Sequence, residues 1–156
     1  MRVGVAALAA LGLVGCTTPY QSMGFSGGVE AHQMTANTFR IVARGNGYTS
    51  GTTIQDYVAL KAAETTRQAG GTHFLVISAG DASSASYLST PGQMKTSVIG
   101  DTAYTTYNPG ATYQIFKPGQ DAYIRVINVP TGQSPPQGAI PADEVIQFVG
   151  ARVKRG

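Results

Sequence analysis

The chain has 156 residues, 11 Lys or Arg against 8 Asp or Glu, and a formal net charge of +3. This length suits one domain with a real core, and so mild a charge excludes the basic footprint of a nucleic-acid-binding protein. Charged residues make up 12% of the chain, which also has 20 glycines and 8 prolines. The composition favours strands joined by turns over charge-driven disorder.

The N-terminus is typical of a bacterial lipoprotein signal. After Arg2, residues 3–15 are uncharged Val, Ala, Leu and Gly. A membrane-spanning helix needs about 20 apolar residues, so the stretch has the length of a signal peptide instead. It ends in Leu13-Val14-Gly15-Cys16, which resembles a lipobox and contains the only cysteine. The sequence predicts a signal peptide over residues 1–15 and lipid attachment at Cys16, where two or more acyl chains would hold firmly.

The residues after Cys16 predict where the mature protein lies and how it begins. In known lipoproteins, Asp after the cysteine often retains the protein in the inner membrane. Thr17 stands there instead, which favours the outer membrane, facing the periplasm. Residues 16–23 are predicted to be a lipidated tether and residues 24–156 a single domain. With Cys16 lipidated no disulfide is available, even though the periplasm permits them.

The first half of that domain predicts strand, helix and strand. A first strand is expected near residues 28–33. Residues 38–44 alternate between two faces, with Phe39, Ile41 and Ala43 on one side. A helix is expected over about residues 54–69, capped by Thr53 with Asp56 three positions later and stopped by Gly70-Gly71. The apolar run 74–77 suits a central strand covered on both faces.

The second half predicts a loop, a meander and a short helix. Residues 79–97 are small and polar and predict a mobile surface loop. Two β-prone segments, 102–107 and 111–116, flank the turn signal Asn108-Pro109-Gly110, and a second turn at 117–120 leads into a strand at 123–129. Pro141 can open a final helix whose first turn contains Asp143 and Glu144 and whose core side comprises Val145, Ile146, Phe148 and Val149.

Together these elements predict an α+β fold. One main helix would pack on a mostly antiparallel sheet of about five strands, and a short helix would follow at the C-terminus.

Motifs that suggest nucleotide binding are incomplete. Gly45, Gly47 and Gly51 lie between a strand and a helix, but their spacing differs from the dinucleotide fingerprint, and no Lys precedes Thr52 or Thr53 as a phosphate loop requires. A glycine turn is the simpler interpretation.

Hydrolase and metal chemistry are also weakly supported. Ser26 lies in a Gly-rich string that resembles the surroundings of a protease serine, and His32 follows closely, but a triad is defined by geometry. His32 and His73 are the only histidines and lack metal-ligand spacing. The sequence therefore predicts no catalytic residue, no cofactor and no metal.

Two surfaces could bind ligands. Four tyrosines of the predicted meander could form a platform for carbohydrate or peptide, although cross-strand aromatic packing is the simpler interpretation; they are Tyr104, Tyr107, Tyr113 and Tyr123. The basic residues Arg152, Lys154 and Arg155 could contact lipid phosphates, although a solvated tail is favoured.

Several segments resemble one protein family. The residues are Phe39-Arg40-Ile41, Gly45-Asn46-Gly47-Tyr48-Thr49-Ser50, Tyr57, Leu60-Lys61-Ala62-Ala63-Glu64-Thr65, Gly70 and Phe74. They resemble a family of small outer-membrane lipoproteins of Gram-negative bacteria, common in alphaproteobacteria. The resemblance covers the signal and about residues 38–78, and it implies a cell-envelope location. The family has no established activity, so it implies no functional residue except Cys16.

The sequence thus predicts a lipid-anchored, non-enzymatic envelope protein that binds another envelope component, most simply a protein. Its partners would be membrane lipid, through acylated Cys16, and that protein, with no nucleic acid. The alternative is a small-ligand or glycan-binding module that uses the Tyr-rich meander and the 79–97 loop. A hydrolase would require Ser26, or a serine within 83–89, to meet a histidine in space.

Overall fold

A five-stranded antiparallel sheet with one long helix against one face forms the body of the protein. The computed structural model describes residues 16–156, so the predicted signal peptide, 1–15, lies outside the described residues. The elements in chain order are β1 Gly28–Gln33, β2 Thr38–Arg44, α1 Gly51–Gln68, β3 His73–Asp81, β4 Ser84–Ser89, β5 Gln93–Ile99, β6 Thr102–Asn108, β7 Thr112–Lys117, β8 Gly119–Ile127, β9 Ile140–Pro141 and α2 Ala142–Phe148.

The sheet has the order β1-β2-β8-β3-β9, and each neighbouring pair is antiparallel. One compact domain with a main helix, a five-stranded antiparallel sheet and a short C-terminal helix confirms the predicted α+β fold. The strands predicted at 28–33 and 38–44 are also confirmed.

The core lies between the sheet and α1. The alternation predicted for β2 is confirmed, since Phe39, Ile41 and Ala43 are buried and their neighbours along the strand are not. Against them α1 packs Ile54 and Leu60, which are 1% and 0% exposed. Because β-strand side chains alternate between two faces, this arrangement leaves the other face of the sheet to solvent.

The predicted cap of α1 is wrong by three residues. The helix begins at Gly51, and Ser50 is the N-cap, with its side chain accepting a hydrogen bond from the Thr53 backbone N–H at 3.1 Å. Thr53 is therefore the donor to the cap and not the cap itself. The predicted stop is confirmed: Gly70 follows the C-cap with φ +78°, a left-handed conformation that glycine adopts at little cost.

The prediction that residues 74–77 are covered on both faces is wrong. Phe74 is 2% exposed, whereas Val76 and Ile77 are 47% and 49% exposed. The register of β3 against β8 shifts between Val76 and Ser78. Only one face of the sheet has a helix against it, so an apolar run in this strand cannot be buried throughout.

The predicted 79–97 loop and the predicted meander are both wrong. β3 continues to Asp81, and β4 and β5 occupy most of the supposed loop. The β-prone segments at 102–107 and 111–116 are strands, but they do not pair with each other: β5 pairs with β6, and β4 pairs with β7. Composition suggested a loop because these residues are small and polar, but backbone pairing makes them β-structure: β4 pairs with the distant β7, and β5 pairs with the β6 strand that follows it.

The C-terminal helix is confirmed in position, with Pro141 at its N-cap and Asp143 and Glu144 in its first turn. Val145, Ile146 and Val149 pack against the core. Phe148 was predicted on the same side but is 63% exposed, because the helix presents it to the opposite side.

Candidate functional site

The chain directly after Cys16 is packed into the body, whereas the sequence predicted residues 16–23 to be a short tether. Thr18 is 0% exposed and Tyr20 is 7% exposed. The Thr18 backbone N–H donates to Thr49 Oγ1 at 2.9 Å, and its carbonyl accepts from the Tyr57 hydroxyl at 2.7 Å. Burial raises the pKa of Tyr57, which keeps its phenol protonated as a donor. The domain therefore begins within two residues of the predicted lipid.

Asn46 completes this arrangement. Its backbone N–H donates to Thr18 Oγ1 at 2.9 Å, and its side-chain amide donates to the Cys16 carbonyl at 2.7 Å. We call Thr18, Asn46, Thr49 and Tyr57 the anchor seat, because together they hold the residues next to Cys16. The glycine turn predicted for this loop lets the backbone at Gly45 lie close to Thr49, because a Cβ on Gly45 would be only 2.8 Å from Thr49 Cβ.

Two of the three basic C-terminal residues, Arg152 and Arg155, are ion-paired, so the prediction of a solvated tail is wrong for them. Arg152 binds Asp56 through two hydrogen bonds of 2.6 and 2.8 Å. Arg155 donates to Glu64 at 2.8 Å, and the Tyr20 hydroxyl donates to the same carboxylate at 2.6 Å. Burial, followed by the hydrogen bond to Glu64, raises the pKa of Tyr20. These contacts hold the chain ends together beside the anchor seat.

The residues considered for a hydrolase have local partners instead. Ser26 Oγ accepts from the Gln21 amide at 3.3 Å, His32 lies 3.7 Å from Glu30 on the same strand, and His73 contacts Thr72 at 2.9 Å. Within residues 16–156, no hydrogen bond joins a serine to a histidine, and no group of three His, Cys, Asp or Glu side chains could hold a metal ion. These residues do not form the serine–histidine pair that the hydrolase alternative required.

The four tyrosines do not form one platform. Tyr104 and Tyr107 lie three residues apart in β6, so their side chains are on opposite faces of the ribbon. Their cross-strand partners on β5 are Ser97 and Met94, respectively. The other two, Tyr113 and Tyr123, lie on β7 and on β8 of the body sheet.

Strands β4 to β7 form a two-stranded ribbon that leaves the body, and we call residues 84–117 the ribbon arm. Its outgoing strands, β4 and β5, pair with the returning strands, β7 and β6. Among the described residues, no third strand pairs with either edge of the ribbon. Both edges therefore carry rows of backbone donors and acceptors that are open to another strand.

The ribbon arm is also unusually apolar for an exposed segment. Eight of its large side chains are 57–75% exposed; they are Tyr87, Met94, Val98, Ile99, Tyr104, Tyr107, Tyr113 and Phe116. Its 34 positions contain only three charged residues, Lys95, Asp101 and Lys117. Exposed apolar surface of this kind marks an interaction site. Three of these residues, Tyr104, Tyr107 and Tyr113, belong to the ligand platform considered from the sequence.

Each strand of the arm is interrupted at the same level. Pro91-Gly92 separates β4 from β5, and Pro109-Gly110 separates β6 from β7. Beside this joint the Thr90 N–H donates to the Ala111 carbonyl at 2.9 Å, and the Ala111 N–H donates to Thr90 Oγ1 at 3.0 Å. The two strands therefore stay aligned across the break, which divides the arm into a root half and a tip half.

The root of the arm and the anchor seat share one loop. The Gly45 N–H donates to the Pro118 carbonyl at 2.8 Å, and a Cβ on Gly47 would lie 2.6 Å from Ile115 Cγ2. Asn46, between these two glycines, binds the Cys16 carbonyl. The arm thus leaves the body at the end where Cys16 is held.

Comparisons with protein-family models, curated proteins and solved structures find no match to this chain. In the described part of the chain, no helix is long and apolar enough to cross a membrane.

Proposed function

We propose that this protein is a non-enzymatic lipoprotein of the cell envelope, held in the outer membrane by acyl chains on Cys16 and facing the periplasm, which binds a protein partner through its ribbon arm. The observation that carries the proposal is the arm itself, whose exposed large side chains are 57–75% accessible. Within residues 16–156, neither of its edges is paired.

A protein is the partner that this surface suits best. An open strand edge binds another strand through main-chain hydrogen bonds, and side chains next to the edge then provide specificity. Aromatic residues and Met are enriched in the cores of protein interfaces, whereas charged residues are depleted there. The arm has that composition. The glycan-binding alternative has less support, because Tyr104 and Tyr107 lie on opposite faces of the ribbon.

The anchor seat supports the envelope part of the proposal. A lipidated cysteine on a long linker would let the domain tumble, whereas Thr18 is fully buried two residues after Cys16. Acyl chains on Cys16 would therefore hold the body close to the membrane in a restricted orientation. The root of the arm would then lie near the membrane surface, where an envelope partner can meet it.

Photo-crosslinking in intact cells tests the arm. A benzophenone amino acid replaces Tyr104 or Tyr113 on the arm and, as a matched exposed aromatic on the body, Phe148, which is 63% exposed. We expect a defined protein adduct from both arm positions and none from Phe148. Equal adducts from Phe148, or no protein adduct from either arm position in folded, membrane-bound protein, would contradict binding through the arm.

Lipidation is tested separately with Cys16→Ser. Radiolabelled palmitate should enter the wild-type protein and not the variant, and the variant should be lost from the outer-membrane fraction. Because no other cysteine exists in the chain, residual label in the variant would show that acylation does not use the Cys16 thiol.

A further inference from the structure

The open edges of the ribbon arm require a strand as their complement. A lone two-stranded ribbon is marginally stable in water, and three or more strands make a lasting sheet. None of the five strands of the body pairs with the arm in the described residues. A complementary strand would therefore come from another chain.

The two edges of the arm match each other. Outgoing β4 and returning β7 each have six residues, and outgoing β5 and returning β6 each have seven. Proline has no N–H and cannot donate to a neighbouring strand, so Pro91 and Pro109 interrupt both edges at one level. A partner that is itself a second arm would carry its interruption at the same height.

The anchor would bring such edges together. If Cys16 is lipidated, every copy is confined to one membrane surface with its arm root beside the anchor seat. Arms of neighbouring copies then stand at equal height, and the outgoing edge of one faces the returning edge of the next. That contact is antiparallel, the arrangement that is slightly more stable per residue than the parallel one.

We propose that the partner of the ribbon arm is the arm of a second copy of this chain, paired edge to edge and head to tail. The inference rests on the proposed function and names its partner. Such an interface is heterologous, so repeated pairing continues to a closed ring or an open row. The exposed apolar side chains of the arm become neighbours across the new strand pair, where cross-strand contacts stabilise a sheet.

Disulfide trapping between two differently tagged copies tests the arrangement. One copy carries Thr96→Cys on the outgoing strand, and the other carries Thr105→Cys on the returning strand. In a single chain these hydroxyls lie 3.0 Å apart, so they mark the same height, and placing each thiol in a separate copy excludes an intramolecular bond. Neighbouring positions on β5 and β6 are scanned to allow for stagger between the strands.

In membranes, we expect mixed dimers between position 96 of one copy and position 105 of the other at a yield several-fold above that of 96–96 dimers. As the matched control, two differently tagged copies that carry Tyr48→Cys, a position on the body, should give no dimer. A 96–96 yield equal to or above the mixed yield would overturn the head-to-tail arrangement. No dimer from any arm pair, while photo-crosslinks from Tyr104 persist, would overturn self-association and leave the arm bound to a different protein. Loss of both signals would instead overturn the proposed function.

A shortened arm gives an independent test of pairing through the arm. Deleting residues 92–109 joins Pro91 to Gly110, a turn-forming pair, between the already hydrogen-bonded Thr90 and Ala111. We expect the wild-type lipoprotein to run as an oligomer in mild detergent and the shortened protein to run as a monomer with an unchanged melting transition. An oligomer of unchanged size in the shortened protein would contradict pairing through the tip half.

Discussion

The body and the ribbon arm are both antiparallel β-structure, yet the apolar side chains of the body are buried and those of the arm are exposed. In the body, Ile41 and Ile124 are 0% exposed beneath α1, whereas in the arm Val98 and Ile99 are 69% and 71% exposed. The difference shows that the arm is shaped by backbone pairing with little apolar burial of its own, which leaves a two-stranded ribbon only marginally stable, while the body takes its stability from apolar burial. The fold therefore stands without the arm, and the apolar surface of the arm is free for another molecule.

The largest expected effect separates the two regions with the same substitution. Ile124→Ala removes a fully buried side chain from β8 and should lower the free energy of unfolding by about 2–5 kcal/mol. Ile99→Ala, at an exposed position on the arm, should change it by less than about 0.5 kcal/mol. Urea denaturation of both variants in the unlipidated Cys16→Ser background measures the contrast.

In the disulfide-trapping assay, the order of the two variants should be reversed, so that Ile99→Ala has the larger effect. Ile99→Ala removes apolar surface near the tip of the arm and should reduce the mixed dimer yield, whereas Ile124→Ala should reduce it only in proportion to unfolded protein. If Ile99→Ala destabilised the protein as much as Ile124→Ala, the arm would have to pack on the body. That result would contradict the conclusion that the fold stands without the arm.

Most of the body was predictable because its signals are local. Alternation over Phe39, Ile41 and Ala43 identified β2, and Gly70 marked the end of α1. The start of α1 was misplaced because Ser50 and Thr53 are both acceptable N-cap residues. Which of the two caps the helix depends on the backbone conformation at each position. The burial of Thr18 was beyond prediction, since its four hydrogen-bonding partners are spread from Ser26 to Tyr57.

The outgoing half of the arm was missed for a different reason, whereas its returning strands at 102–107 and 111–116 were predicted. In β5, Met94, Thr96 and Val98 alternate with Gln93, Lys95 and Ser97, and this pattern was the available signal for a strand. Small polar residues hid the pattern in β4, where composition indicated a loop. The turn signals were genuine, but Asn108-Pro109-Gly110 breaks a strand at a joint and does not reverse the chain. Pairing between β4 and β7, far apart in sequence, cannot be inferred from either segment alone.

The next largest effect concerns how firmly the chain next to Cys16 is joined to the body. Thr18→Val keeps the side-chain shape but removes a hydroxyl that donates to the Ser26 carbonyl at 2.7 Å and accepts from the Asn46 N–H at 2.9 Å. Leaving buried polar groups without a partner costs about 1–3 kcal/mol. Thr17→Val, at the exposed neighbouring position, is the matched control and should have almost no effect.

Limited proteolysis distinguishes local from global loss for Thr18→Val. If the anchor seat holds the chain as described, cleavage within residues 17–23 should accelerate in the variant, while the ribbon arm is cut at its wild-type rate. Equal protection of this segment in Thr18→Val and Thr17→Val would mean that the hydroxyl is not what fixes the chain next to Cys16.

The smallest effect lies on the open face of the body sheet and depends on pH. Arg44 and Arg40 bind the two carboxylate oxygens of Asp121 at 2.6 and 2.5 Å. Burial by itself would raise the pKa of Asp121, but the hydrogen bonds from Arg44 and Arg40 outweigh it and leave that pKa below its ordinary value. A depressed folded-state pKa stabilises the fold above the unfolded value, about 3.9, and this contribution is lost as the pH falls towards the folded value.

Asp121→Asn should therefore lower the melting temperature slightly near pH 7, by less than Thr18→Val does, because partly exposed ion pairs contribute little. The gap from wild type should close as the pH falls from about 4 towards the lower folded-state pKa, at which the wild-type carboxylate also becomes neutral. Asp101→Asn, at an exposed position on the arm, should show no such closing gap. Melting curves across this range decide the matter: a gap that widened in acid would mean that Asp121 is favoured in its protonated form, and that Arg40 and Arg44 do not hold its charge.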